Sequence, residues 1–137
     1  MAKTIPFRLI TPTAVAFAGE AELVIGVGTE GEEGILPSHA PFLTALRPGV
    51  LRANVLENGA TKRLEFATGE GFMQALPEQV TVLVDEALSA DQIDSAAARR
   101  ELEAAQERLR ATPPQTPEWE RAQAAVDFAK AKSALTA

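Results

Sequence analysis

Every one of the nine glycines in this chain lies before Gln74, and beyond Ala87 alanine takes over. Glycine in a helix interior costs about 1 kcal/mol relative to alanine, whereas its tolerance of positive φ suits tight turns. The segregation therefore divides the 137 residues into two regimes. Residues 1–87 are expected to form an all-β sandwich, and residues 88–137 an antiparallel α-helical hairpin.

In the first regime short apolar runs alternate with glycine and proline. The runs predict strands at Ile5–Ile10, Val15–Gly19, Ala21–Val27, Phe42–Leu46, Gly49–Glu57, Thr61–Thr68, Gly71–Leu76 and Val80–Ala87. Many short strands at this spacing fit a sandwich or barrel and not a βαβ fold. Asn58-Gly59, set between two such runs, has the residues of a type I′ hairpin turn, and Pro77 presets φ for a second turn. Along the final run Val80, Val82 and Val84 share one face, with Thr81, Leu83 and Asp85 on the other. The expected core is Phe7, Leu9, Val15, Phe17, Leu43, Leu51, Phe66, Phe72, Val80 and Val82.

In the second regime Ser89-Ala90-Asp91-Gln92 reads as a capping box opening a helix at about 91–110. Ala98, Leu102, Ala105 and Leu109 fall on one face of that helix. Pro113-Pro114 ends the helical stretch, because neither residue can donate to the hydrogen-bond ladder. Thr116 then caps a second helix, about 117–134, with Pro117 in its first turn and Trp119, Ala122, Val126 and Ala129 along one face. Facing alanines let the two helices approach closely, but they bury little area at about 25 cal/mol per Å². The hairpin is expected to be marginal alone and able to move relative to the sandwich.

The chain holds one histidine and neither cysteine nor tyrosine. Disulfides, thiolate metal sites and a cysteine nucleophile are excluded. A Ser-His-Asp triad would need His39 with Ser38, which point apart on an extended segment. One imidazole among scattered glutamates has no metal-ligand spacing. Gly26-Val27-Gly28-Thr29-Glu30-Gly31 matches G-x-G-x-x-G, yet an acidic loop follows in place of a phosphate-binding helix. No catalytic residue, cofactor or metal is expected.

Up to Ala87 there are six basic and eleven acidic residues; after it there are seven and eight. This excess repels phosphate backbones and anionic lipid heads, so nucleic-acid binding is not expected, and a basic loop on a protein partner would be attracted. No apolar run approaches the roughly 20 residues of a spanning helix. The N-terminus, Met1 to Pro6, has no signal core. The expectation is a soluble, unprocessed chain that reaches a membrane only through a partner.

The stretch from Thr29 to Gly49, TEGEEGILPSHAPFLTALRPG, resembles the signature of the epsilon subunit of bacterial F-type ATP synthases. It has the Glu-Gly-x-x-Gly turn, the His-Ala-Pro turn, Leu-Thr and Pro-Gly in order. Gly71-Phe72 to Pro77, Val80 to Asp85 and the alanine-rich ending are similar to later parts of that family, so the likeness covers almost the whole chain. The resemblance implies a non-catalytic central-stalk rotor subunit of the proton-driven enzyme. It would couple the gamma subunit to the c-ring at the cytoplasmic face of the bacterial membrane. It also implies that the glycine-rich acidic loop meets the polar loops of the c-ring, with Glu32 as the ring-facing carboxylate and Glu30 and His39 as further contacts.

One departure bears on regulation. Some members bind ATP through Ile or Leu, Asp, two variable residues, Arg and Ala; here the run is Ile93-Asp94-Ser95-Ala96-Ala97-Ala98, with Ala97 at the arginine position. Arg99 lies about 200° further around the helix. Without the phosphate-pairing guanidinium, ATP binding is not expected. Members also inhibit hydrolysis by extending both helices into the alpha/beta catalytic head, using basic residues. In the second helix Arg121, Lys130 and Lys132 are balanced by Glu118, Glu120 and Asp127, so this pattern supplies no electrostatic latch. A regulatory module and a small stand-alone enzyme or ligand-binding sandwich stand as alternatives to the rotor-coupling reading.

Overall fold

The computed structural model describes residues 3–137. Met1 and Ala2, the first residues of the N-terminal segment expected to lack a signal core, lie outside the described residues. Nine strands precede two helices: β1 (Ile5–Ile10), β2 (Val15–Gly28), β3 (Gly31–Ile35), β4 (Phe42–Leu46), β5 (Gly49–Glu57), β6 (Ala60–Thr68), β7 (Gly71–Leu76), β8 (Gln79–Val84), β9 (Ala87–Leu88), α1 (Ser95–Arg110) and α2 (Pro117–Leu135).

The hydrogen-bonded path runs β1-β8-β7-β4-β2-β5-β6-β9, with β3 added to β2 and a further β1–β2 pairing. One layer is β1-β8-β7-β4 and the other is β2-β5-β6-β9, and β2 joins them. Its first half pairs with β1, and its second half with β3 and β5. That shared role corrects the expectation of two strands at 15–19 and 21–27. Ala21 pairs with Ile5 on one side and Val55 on the other, so the chain continues straight through, and a bulge at Glu22 adjusts the register. Among the described residues only β1 and β8 pair in parallel; the other pairings are antiparallel.

Phe7, Leu9, Val24, Leu51, Val55, Met73, Val80 and Val82 fill the space between the layers. Phe17 sits half-buried at its margin, its ring 5.6 Å from that of Phe7. Three residues expected in the core are outside it: Val15, Leu43 and Phe72 are 52%, 66% and 54% exposed. In β7 the buried positions are Met73 and Ala75, which puts Phe72 and Gln74 on the opposite face. In β4 the inward set is Phe42, Thr44 and Leu46, so Leu43 points out.

The predicted turns form. Asn58 and Gly59 have φ of 53° and 80°, both positive as a type I′ turn requires, between the paired Glu57 and Ala60. Pro77 and Glu78 link the paired Leu76 and Gln79. At Gly71 a Cβ would stand 1.8 Å from the Leu83 carbonyl oxygen, so β7 can lie against β8 only with glycine there. The predicted run at 80–87 splits into β8 and β9, because β9 leaves β8's layer to pair with Ala67 and Thr68 of β6.

The helical part also begins later than predicted. Gln92 Oε1 accepts from the Ser89 amide at 3.0 Å, but the capping box closes only a 3₁₀ turn at Ala90–Gln92. Ile93 is extended, and Asp94 starts α1 by accepting from the amides of Ala96 and Ala97 at 3.0 and 3.2 Å. Two caps compete within six residues, and Asp94 begins the longer helix. Thr116 caps α2 as expected, accepting from the Trp119 amide at 3.1 Å. α2 lies between α1 and strands β5 and β6, touching both. Its buried residues are Ala122, Val126, Ala129 and Ala131, and α1 contributes only Ala98.

Candidate functional site

The expected acidic loop is largely a β-hairpin. Thr29 and Glu30 form its two-residue turn, Gly28 pairs with Gly31, and Glu32 and Glu33 pair with Val27 and Gly26. Gly31 has φ of +129°, a conformation side chains rarely adopt, so glycine lets the chain reverse there. Glu30 stands at the exposed tip, and Glu32 and Glu33, as strand neighbours, point to opposite faces.

Glu32 is 56% exposed and already has a partner. Arg52 Nη2, from β5, donates to Glu32 Oε2 at 2.5 Å. Glu30 and Glu33 form no ion pair among the described residues. The fold therefore brings Glu30 and Glu32 onto one hairpin but leaves His39 on the β3–β4 connection. There His39 Nδ1 donates to the Ala40 carbonyl at 2.6 Å, while Nε2 is buried without a partner.

A second surface lies on the outer face of the β1-β8-β7-β4 layer. The register aligns Ile10, Leu83, Phe72 and Ala45 in one row across the four strands. The next row is Arg8, Thr81, Gln74 and Leu43. Leu83, Phe72 and Leu43 are each at least half exposed, which makes one apolar patch on a face where strands usually carry polar residues. Sequence reasoning assigned Phe72 and Leu43 to the core. The missed signal was Gln74, which shares Phe72's side of β7, just as Thr81 shares Leu83's side of β8.

Among the described residues no three His, Cys, Asp or Glu side chains converge as a metal site would require, and no helix is long and apolar enough to cross a membrane. Asp94, the aspartate of the run compared with an ATP-binding motif, caps α1, and Ala97 lies in its first turn.

Sandwich, hairpin and surfaces together define a small two-part protein with an acidic hairpin and an exposed apolar sheet face. A family profile described as the beta-sandwich domain of the ATP synthase delta/epsilon chain matches residues 4–90. The ATP synthase epsilon chain of Rhodospirillum rubrum is 37% identical over 137 residues, covering 100% of this chain and 98% of its own. That of Xanthomonas campestris is 42% identical over 120 residues, covering 88% and 83%. The chain belongs to the ATP synthase epsilon-chain family. The same fold occurs in a chain of the Euglena gracilis mitochondrial ATP synthase assembly of OSCP, F1 and c-ring, with TM-score 0.77, 21% identity, and coverage of 96% of this chain and 80% of that one. It also occurs in the central stalk and c-ring assembly of the Tetrahymena thermophila enzyme, with TM-score 0.60, 18% identity, and coverage of 95% and 97%.

Proposed function

We propose that this epsilon-type subunit is a non-catalytic coupling piece of the central stalk, with the gamma subunit on its apolar face and the c-ring at its acidic hairpin. The observation that carries the reading is the row Leu83–Phe72 with Leu43 beside it. Large apolar side chains half exposed on a regular sheet face gain free energy when a partner covers them, at about 25 cal/mol per Å². Glu30 and Glu32 offer carboxylates to a cationic loop of the ring at one end of β2 and β3. His39, with Nδ1 engaged by Ala40, is proposed as a further contact through the β3–β4 connection. Held in this way by its partners, the subunit works peripherally at the cytoplasmic face of the membrane.

The test is a pair of substitutions read against two partners. Phe72→Glu should fold normally, since its side chain is 54% exposed, yet bind gamma at least about 30-fold more weakly, the loss of one hot spot of about 2 kcal/mol. Glu32→Lys should leave gamma binding intact and release the ring. Unchanged copurification of both partners with both variants would refute the reading.

A regulatory role for the helices has one specific support. The fully buried side chains of α2, which packs on β5 and β6, are three alanines and one valine, so separating the hairpin from the sandwich would uncover few large ones. Truncation after Leu88 should leave coupling and abolish any control of ATP hydrolysis. With Ala97 at the arginine position and Asp94 engaged as a cap, the full chain should give no heat of ATP binding in calorimetry.

A further inference from the structure

We propose that Arg52 is an intramolecular counter-cation that competes with the c-ring for Glu32 and so sets how tightly the acidic hairpin holds. The inference rests on the reading that Glu32 meets a cationic side chain of the ring.

The geometry begins with three adjacent strands. Ile25 of β2 pairs with Gly34 of β3 on one side and Arg52 of β5 on the other. Glu32 is two residues from Gly34 and so on the same face. Gly34 leaves the way clear: a Cβ built there would meet only Leu23 and Ile25 side-chain atoms, at 3.7 and 4.0 Å. Arg52 lies over Leu23 and Ile25 in a shallow pocket and reaches Glu32, its own side chain only 30% exposed. The pairing uses Nη2 and Oε2 at 2.5 Å, and Oε1 makes no hydrogen bond within the chain among the described residues.

Charge and distance then decide the sign. Taking each close pair as about 4 Å between charge centres, a cation arriving from the ring on the far side of the carboxylate stands about 8 Å from the guanidinium behind it. Coulomb energy falls as the inverse of distance, so repulsion by Arg52 cancels about half of the attraction to Glu32. In the opposite sense, Arg52 restrains Glu32 and reduces the side-chain entropy lost on docking. That restraint is no stronger than the exposed pair itself, which is worth little. Competition is therefore the larger effect. Glu30 and Glu33, which have no such partner, supply attraction that Arg52 does not offset.

The experiment uses the full-length chain and the purified, detergent-solubilised c-ring from the same organism, with affinity measured at low and high ionic strength. Arg52→Gln should bind the ring roughly threefold to fivefold more tightly at low salt, the fold-change matching the upper half of the range for an exposed pair. The gain should shrink at high salt and on a Glu32→Gln background, where no carboxylate holds the ring cation close to Arg52, and be absent in Arg52→Lys, which restores the cation. Arg52→Met keeps an apolar stem over Ile25 and serves as the second variant, and thermal melts and gamma binding report that each protein is folded. Weaker or unchanged ring binding by Arg52→Gln, while Glu32→Gln loses affinity, would overturn the competition and leave the ring contact standing. A gain undiminished without Glu32 would also overturn it, by making the effect one of general charge. Full ring affinity in Glu32→Gln would remove the contact itself, and the proposal with it.

Discussion

The sandwich and the helical hairpin of this protein are held together by different means. Between the two sheet layers Phe7, Ile5, Leu9, Leu51 and Met73 are fully buried, and they come from β1, β5 and β7, so each strand depends on others far away in sequence. The hairpin buries Ala98, Ala122, Val126, Ala129 and Ala131, with Val126 the largest among them. Caps, helix propensity and a clip between the largely buried Lys132 and the half-exposed Glu101 also hold it. Removal of one side chain should therefore be felt throughout the sandwich, whereas most changes in the hairpin should stay local.

The largest test of this contrast is in the sandwich. Phe7 has no exposed surface and stacks near Phe17, so Phe7→Ala should lose about 3–5 kcal/mol of stability in urea unfolding. A smaller loss, confined to the helices, is expected from Asp94→Ala. It removes the acceptor for the Ala96 and Ala97 amides and should cost about 1 kcal/mol, seen as reduced helical ellipticity and faster amide exchange in α1 while the strands stay protected. Global unfolding by Asp94→Ala would show that the hairpin and sandwich are one cooperative unit. The smallest effect belongs to Lys132→Gln. Lys132 pairs with Glu101 and lies 4.7 Å from the Phe128 ring centroid, and losing both contacts should cost about 0.5–1 kcal/mol. Exchange should quicken only along the α1–α2 seam.

The acidic hairpin and the apolar face differ in how far sequence could reach them. Glycine spacing and the Glu30-Gly31-Glu32 pattern marked the first, although five of its residues prove to be strand and not loop. The second was hidden because Phe72 and Leu43 look like core residues when apolarity alone is weighed. In β7 the period-two alternation with Gln74 marks Phe72 as outward. In β4 the inward side carries Thr44 and the outward side only Leu43 and Ala45, so Leu43 is turned out by the packing of the sheet and not by its local pattern.

Local chemistry was enough to determine the order of strands before helices, the Asn58-Gly59 and Pro77-Glu78 turns, the proline break between the helices and the Thr116 cap. Each depends on backbone preferences of a few neighbouring residues, which a sequence carries directly. Three features waited on tertiary structure: the single strand β2 shared between two layers, the start of α1 at Asp94 with the 3₁₀ turn before it, and the Arg52–Glu32 pair. Twenty residues separate that arginine from that glutamate. They meet because β5 and β3 flank β2 in one register, and register follows from the packing of a whole sheet.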